Sequence, residues 1–383
     1  MNTKKILLLT AFLAAFTFTS CDDDDKNRIA GNDELYQSIL MEYVDKTIVP
    51  TYKSLAEAAL EMRFANSALK AYASDTHMQL ASAAWMKARI LWEKNEAFLF
   101  GPVGEDALDI DGHIDSWPLE LSEIQQSIAA GAGSITGRDA WKLDPEVIGF
   151  HVTEYLLYRD GQTRPVAELT AEELNYLIAA TDALVWDCVL AYVAWVGLEN
   201  VSEEMQTVFN ENPDVVAHLD NNPDYKNFAN RLKNAIGYPS FSDALSEIFT
   251  GCAEIAGEVG ATKIASPYST GKTEDVESWY SWHSLDDYQN NIQSIKNAYL
   301  GGVDDNTRTT TSLSKYVTMK NAALDASIKA KIEDCIAKIA AIGAGGKSFY
   351  EVVRYHSNEA QVNAAVEACA ELEDLFSSLN DII

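Results

Sequence analysis

Residues 324–342 read LDASIKAKIEDCIAKIAAI. Leu324, Ile328, Ile332, Cys335, Ile336, Ile339 and Ile342 recur at steps of three and four, with charged residues between them. That period gathers the apolar side chains on one stripe of an α-helix. A second stripe follows at Val362, Val366, Cys369, Leu372, Leu375, Phe376 and Leu379, and a third lies upstream at Leu174, Ile178, Leu184, Val185, Cys188, Tyr192 and Trp195. No run alternates apolar and polar residues as a half-buried strand would. Each stripe has to be covered by another, so the chain reads as all-α, built from packed helical bundles.

Start and stop signals support this reading. Thr170 and Glu173 have the spacing of a capping box. Asp144-Pro145-Glu146 sets a cap, then proline at a first helical position, then an acid in the first turn. Ser284 with Asp287 reads as another cap, and Gly301-Gly302 as a stop. The expected helices cover 33–70, 77–98, 145–158, 171–198, 240–261, 285–300, 311–342 and 357–380. Loops are expected at 101–120, 131–143, 200–225 and 262–283. The stretch 200–225, rich in Asn and Pro, divides the chain into an N-terminal half, 33–205, and a C-terminal half, 206–383.

The N-terminus has the order of a secretory signal: Lys4 and Lys5, an apolar and small run from Ile6 to Phe18, then Ser20-Cys21. That run of about 13 residues falls short of the ~20 needed to span a bilayer. A cysteine after a small residue at such a point is the pattern of a lipoprotein cleavage site, so 1–20 is expected to be removed and Cys21 lipidated, tethering the protein to a membrane. Asp22 to Asp25 stay solvated. The segment 21–32 therefore reads as an acidic tether, and it resembles the surface-export signal of Bacteroidetes lipoproteins. Export to the outer membrane and the cell surface is the expectation.

The formal net charge is -29. Nucleic acid is not an expected partner, because phosphate binding needs a basic patch; cations suit the charge better, although acidity also serves solubility. Beyond Cys21 there are four cysteines. An antiparallel hairpin would set Cys335 beside Cys369, either as a disulfide or as buried thiols; a Cys188–Cys252 bond is the other pairing open to an exported protein. Gly343-Ala344-Gly345-Gly346-Lys347-Ser348 looks like a phosphate-binding loop, but Ala341 holds the place of its first glycine and the stretch ends a helix instead of opening one.

Chemistry concentrates at Gly149-Phe150-His151-Val152-Thr153-Glu154-Tyr155. His151 and Glu154, three apart, share a helical face. An imidazole and a carboxylate there can supply two ligands to a metal ion, or the histidine can simply be held by its helical neighbour.

Gly149, His151 and Glu154 match the G-x-H-x-x-E motif of the imelysin-like family, also called the imelysin peptidase family, and Tyr155-Leu156-Leu157 continues the match. Arg89 to Val103 is similar to that family's second helix and following turn, Trp117-Pro118 to its W-P-L element, and Glu277 to Gly301 to its E-S-x-F-S segment and the helix after it. Trp279 stands where the family often has Arg, and Phe150 where it often has Trp. The resemblance implies two helical-bundle halves with a cleft between them. In that cleft it puts His151 and Glu154 as metal ligands, or as catalytic residues if the protein is a peptidase, with Arg89, Glu96, Asp115, Ser281 and Asp286 around them. His283 is a further nitrogen ligand to consider.

A zinc peptidase needs about three protein ligands, an open position and a general base. His151 and Glu154 supply two groups in all, so hydrolysis is weakly supported. The family also resembles the periplasmic component of bacterial iron-uptake systems. The favoured reading is therefore a cell-envelope protein that binds a divalent or ferric metal ion, iron or zinc, or a small metal-containing ligand, and works with an envelope transport partner. A metallopeptidase is the first alternative. A surface module for a protein or glycan, using some of the 8 Trp and 17 Tyr, is the second.

Overall fold

The computed structural model describes residues 23–130 and 135–383. The signal segment 1–20 and the lipidation expected at Cys21 lie outside the described residues. The stretch expected to be a tether is helical from Asp23 onward.

Helix α1 (Asp23–Tyr43) passes through a π-helical stretch, Val44–Ile48, into α2 (Val49–Ala71), and α3 (Asp75–Glu93) packs beside α2. Three short helices follow: α4 (Ile110–Ile114), α5 (Leu121–Ala130) and α6 (Gly137–Ala140). Then come α7 (Gly149–Leu157), a two-stranded ladder of β1 (Tyr158–Arg159) with β2 (Gln162–Thr163), and α8 (Ala171–Val196). Helices α9 (Glu203–Glu211), α10 (Pro213–Asp220) and α11 (Phe228–Lys233) lead to α12 (Phe241–Gly257). A second π-helical stretch, Glu258–Ala265, joins α12 to α13 (Ser266–Thr270). The chain finishes with α14 (Ser284–Leu300), α15 (Leu313–Lys320), α16 (Ala322–Ile342), α17 (Phe349–Arg354) and α18 (Glu359–Ser377).

Two groups of four helices emerge from the packing. Helices α2, α3, α7 and α8 form one, and α12, α14, α16 and α18 the other. They meet where α3 and the turn Glu96–Phe98 lie against α12 and α14, and one apolar core runs through both. The stretch 200–225 is largely helical, not the expected loop, and the boundary drawn between 205 and 206 falls inside α9. Helices α9 and α10 pack on α8 of the first group, whereas α1 packs on α11 and α12.

The local reasons are visible in the sequence. Thr170 and Glu173 form the capping box of α8, as their spacing predicts. Helix α8 is long and apolar enough to cross a membrane, but 89% of its most apolar window is buried inside the protein, so it is the core of the first bundle. Both π-helical stretches end two residues before a proline, Pro50 and Pro267. Proline has no N–H to give the regular ladder and crowds the carbonyl four residues back, so the preceding turn widens. The helix expected over 311–342 breaks at Asn321, whose side chain accepts from the Leu324 N–H and caps α16. The cap expected at Ser284 and Asp287 does not form: His283 holds the cap position, and Ser284 Oγ donates to the Glu277 carbonyl. All four described cysteines are buried free thiols. Cys335 lies against the α18 backbone, its Sγ donating to the Ala368 carbonyl at 3.1 Å, as the hairpin of α16 and α18 predicts for neighbours without a bond between them.

Helix α7 begins later than the proline signal suggested, at Gly149, after a 3-10 turn over Pro145–Val147. Gly149 has φ +79, and a Cβ there would lie 2.5 Å from the Ile114 carbonyl oxygen. Only glycine lets α7 start this close to the end of α4. Gly149→Ala is expected to lower stability by at least about 2 kcal/mol, read as a shifted midpoint in urea unfolding; an unchanged midpoint would show that the close approach is not needed.

Candidate functional site

Arg89, on the last turns of α3, is completely buried at the junction of the two bundles. Its guanidinium pairs with Glu93 one turn on, with Asp115 at the end of α4, with Glu277 at 2.6 Å and with Asp287 of α14 at 3.3 Å. A planar group with five donors can serve several carboxylates at once, which a lysine could not. Trp92 Nε1 donates to Asp115 at 2.6 Å, Asn291 donates to Glu93, and Ser278 Oγ donates to Asp287. Lys263, carried on the second π-helical stretch, reaches Glu277 at 3.0 Å and Glu258 at 3.6 Å.

His151 stands on this cluster's edge with no exposed ring surface. Its Nδ1–H faces Glu154 Oε2 at 3.2 Å. Its Nε2 looks the other way, 3.1 Å from Asp115 Oδ1 and 3.7 Å from Glu277 Oε1, without the alignment of a hydrogen bond to either. The other oxygen of Glu154 accepts from both the N–H of Ser281, at 2.8 Å, and its hydroxyl, at 2.7 Å. Glu154 therefore fixes the tautomer and aim of His151 and anchors the 277–283 loop, where Ser278 and Trp282 hold positive φ angles of 51 and 62. The indole of Trp117 packs edge-on against His151, with ring centroids 4.8 Å apart.

Burial and charge sort the ionisable groups into two sets. Burial works against ionisation of Glu277 and Asp115, but Lys263, His151 and Arg89 hold Glu277 well below the usual carboxylate range, and Arg89 and His151 hold Asp115 below it. Burial raises Glu93 and Glu96 well above that range, and it pushes Asp287 up to about 6 and Asp111 up to about 7. For His151, burial and the Arg89 charge favour the neutral ring; the close carboxylates of Asp115, Glu154 and Glu277 outweigh them and raise its pKa well above the ordinary value. With Arg89 and Lys263 as its permanent cations, the cluster holds more carboxylates than it can neutralise, so some of them keep their protons.

Three sets of donor atoms lie within 4.8 Å of one another: Asp115, His151 and Glu277; Glu93, Glu277 and Asp287; and Glu93, Glu96 and Asp115. Two residues of these sets carry a buried atom without a hydrogen-bond partner, His151 at Nε2 and Asp287 at Oδ1. A donor set of carboxylate and imidazole fits a divalent or ferric ion. Because Glu154 spends one oxygen on Ser281 and turns the other to His151, the carboxylates that meet Nε2 are Asp115 and Glu277.

Of the residues singled out in the sequence, Arg89, Asp115, His151, Glu154, Ser281 and Glu96 come together here. Asp286 does not. It is exposed at the surface and pairs with His283 at 2.8 Å, so neither belongs to the buried cluster. Its neighbour Asp287 takes the place within the cluster. Glu93, Lys263, Glu277, Asp287 and Asn291 were missed as site residues. A signal for part of them exists in α14, where Ser284, Asp287, Asn291 and Ser294 recur at steps of three and four and are all buried: a small polar stripe at helical spacing on an inward face.

Removing the guanidinium would leave buried carboxylates without a counter-ion. Arg89→Met is expected to cost about 3–5 kcal/mol at pH 7. The depressed Asp115 and Glu277 contribute stability above their unfolded values near ~4 that is lost as the pH falls through their folded values. The deficit of the variant should therefore narrow below about pH 4. Urea unfolding across pH checks this, and a deficit independent of pH would contradict it.

The imelysin family model matches residues 48–379. Iron-regulated protein A of Synechococcus elongatus is 26% identical over 260 residues, 68% of this chain. That match spans 63% of the relative's own length. A crystal structure from Parabacteroides distasonis, described as an iron-regulated protein A precursor, superposes with a TM-score of 0.77 at 27% identity, covering 91% of this chain and 95% of that one. An imelysin-like protein from Psychrobacter arcticum shares the fold, with a TM-score of 0.64 at 14% identity over 90% of this chain and 94% of that one. With a match across most of its length, an all-helical fold shared with these structures and a G-x-H-x-x-E segment at the buried junction, this chain belongs to the imelysin family.

Proposed function

We propose that the protein captures a metal ion as cargo at the junction of its two bundles, in an iron-related role at the bacterial cell envelope. The observation that carries this reading is the convergence of His151 Nε2, Asp115 and Glu277 within 4.8 Å of one another, in a buried cluster short of positive charge. Asp115, His151 and Glu277 would hold the ion. Glu154 and Ser281 would aim the imidazole, and Arg89 would keep the carboxylates gathered when the site is empty of cargo. The relatives named for iron regulation support iron over other ions that accept the same donors. The N-terminal signal and Cys21 support export and attachment to the outer membrane through a lipid, with a transport partner in the same envelope.

The metallopeptidase reading has less support. The His151 ring has no exposed surface, and Asp115 and Glu277 keep only 6% and 9% of theirs, too closed for a polypeptide to reach. Glu154, the obvious general base, already accepts two hydrogen bonds from Ser281.

Calorimetric titration with ferrous ion under anaerobic conditions, with zinc as the comparison, tests the reading. One ion per chain is expected, with at least about a tenfold loss of affinity in His151→Ala and a similar one in Ser281→Ala. Equal affinity in wild type and His151→Ala, or no binding to wild type, would overturn it.

A further inference from the structure

On the solvent side of the buried cluster, between the Glu96–Phe98 turn and α12, lies a cavity of about 420 Å³. Six carboxylates line it: Glu96, Glu105, Asp111, Glu247, Glu254 and Glu258. No lysine or arginine lines it among the described residues. The wall is held in place by Gly251 of α12, where a Cβ would lie 2.6 Å from the Ala97 carbonyl oxygen, so helix and turn approach at backbone distance. Glu96 forms the inner wall. It is only 8% exposed, and no hydrogen bond or ion pair reaches its carboxylate among the described residues. A buried carboxylate left without a partner at the end of an acidic cavity is costly when ionised, so it holds a proton until a cation takes the proton's place.

Three connections join this cavity to the buried cluster. Glu96 belongs to both, since its carboxylate also lies within 4.8 Å of donor atoms on Glu93 and Asp115. Asp111 and Asp115 stand one helical turn apart on α4, the first in the cavity wall and the second beside His151. Lys263 spans Glu258 of the cavity and Glu277 of the cluster.

We propose that this cavity is a vestibule that takes a hydrated divalent cation from solvent and passes it inward along Glu96 to the buried cluster. The proposal rests on the metal-capture reading for the destination of the ion, and on the cavity alone for its entry. Converging carboxylates with low-dielectric walls focus the field and raise the local concentration of cations. Glu105 and Glu254 are exposed and Glu247 is half-buried in this lining, and none of the three is among the donor sets around His151. They set the rate at which cargo arrives and leave the affinity of the inner site nearly unchanged.

The test is stopped-flow mixing of the full chain with ferrous ion under anaerobic conditions, followed by tryptophan fluorescence from Trp92 and Trp117. The variant is Glu105→Gln with Glu247→Gln and Glu254→Gln. Its association rate should fall about tenfold at low ionic strength, with the difference closing as salt is added and equilibrium affinity within about twofold. An unchanged rate with the same salt dependence would overturn the vestibule while leaving metal capture intact. If wild type binds no ferrous ion, metal capture fails on its own, and manganous ion decides the vestibule by water-proton relaxation. Weak, saturable binding in His151→Ala that is lost on adding the three glutamine changes supports the cavity as a cation site; equal signals with and without them overturn it.

Discussion

The guanidinium of Arg89 is the interaction on which the junction depends. It gathers carboxylates from four separate pieces of chain: Glu93 of α3, Asp115 at the end of α4, Glu277 of the loop before α14, and Asp287 of α14. Two of these pieces belong to the first bundle's side and two to the second. Burying a charge is expensive, and the cost is met only by close, well-satisfied pairing. The geometry that satisfies Arg89 is therefore also the geometry that brings the two bundles together.

This arrangement explains why the motif residues sit as they do. Glycine at position 149 lets α7 start against the end of α4, which delivers the His151 ring to Asp115. Glu154 then spends itself on orientation, turning one oxygen to His151 Nδ1 and the other to Ser281. The sequence spacing of H-x-x-E suggests two ligands on one face; in the fold Glu154 is taken up by His151 and Ser281, which leaves only His151 Nε2 turned toward Asp115 and Glu277. The acidic cavity beyond Glu96 lies outside this constellation but shares Glu96 with it.

Much of the helical framework was legible in the sequence because its causes are local. The stripes at 324–342 and 362–379 and the capping box at Thr170 depend on neighbours within a few residues. Elements that depend on distant partners were not legible. The short helices within 101–143 and 200–225 are amphipathic over too few turns to show a period. Asp286 and Asp287 cannot be told apart by residue type, and which one faces inward follows from the rotation of α14 set by Ser284 bonding back to Glu277. Lys263 enters the cluster from a π-helical stretch that carries the chain helically past 261, into what the sequence reads as a loop. Family resemblance located Arg89, Glu96, Asp115, His151, Glu154 and Ser281; only the packed structure added Glu93, Lys263, Glu277, Asp287 and Asn291.

X-ray absorption at the iron edge, on protein loaded anaerobically with one equivalent of ferrous ion, would read the ligands of the bound ion. Capture at His151, Asp115 and Glu277 would give a first shell of oxygen and nitrogen donors that includes a single imidazole, with carboxylate oxygens as the other protein ligands. A shell of water alone, or one without imidazole scattering, would contradict it.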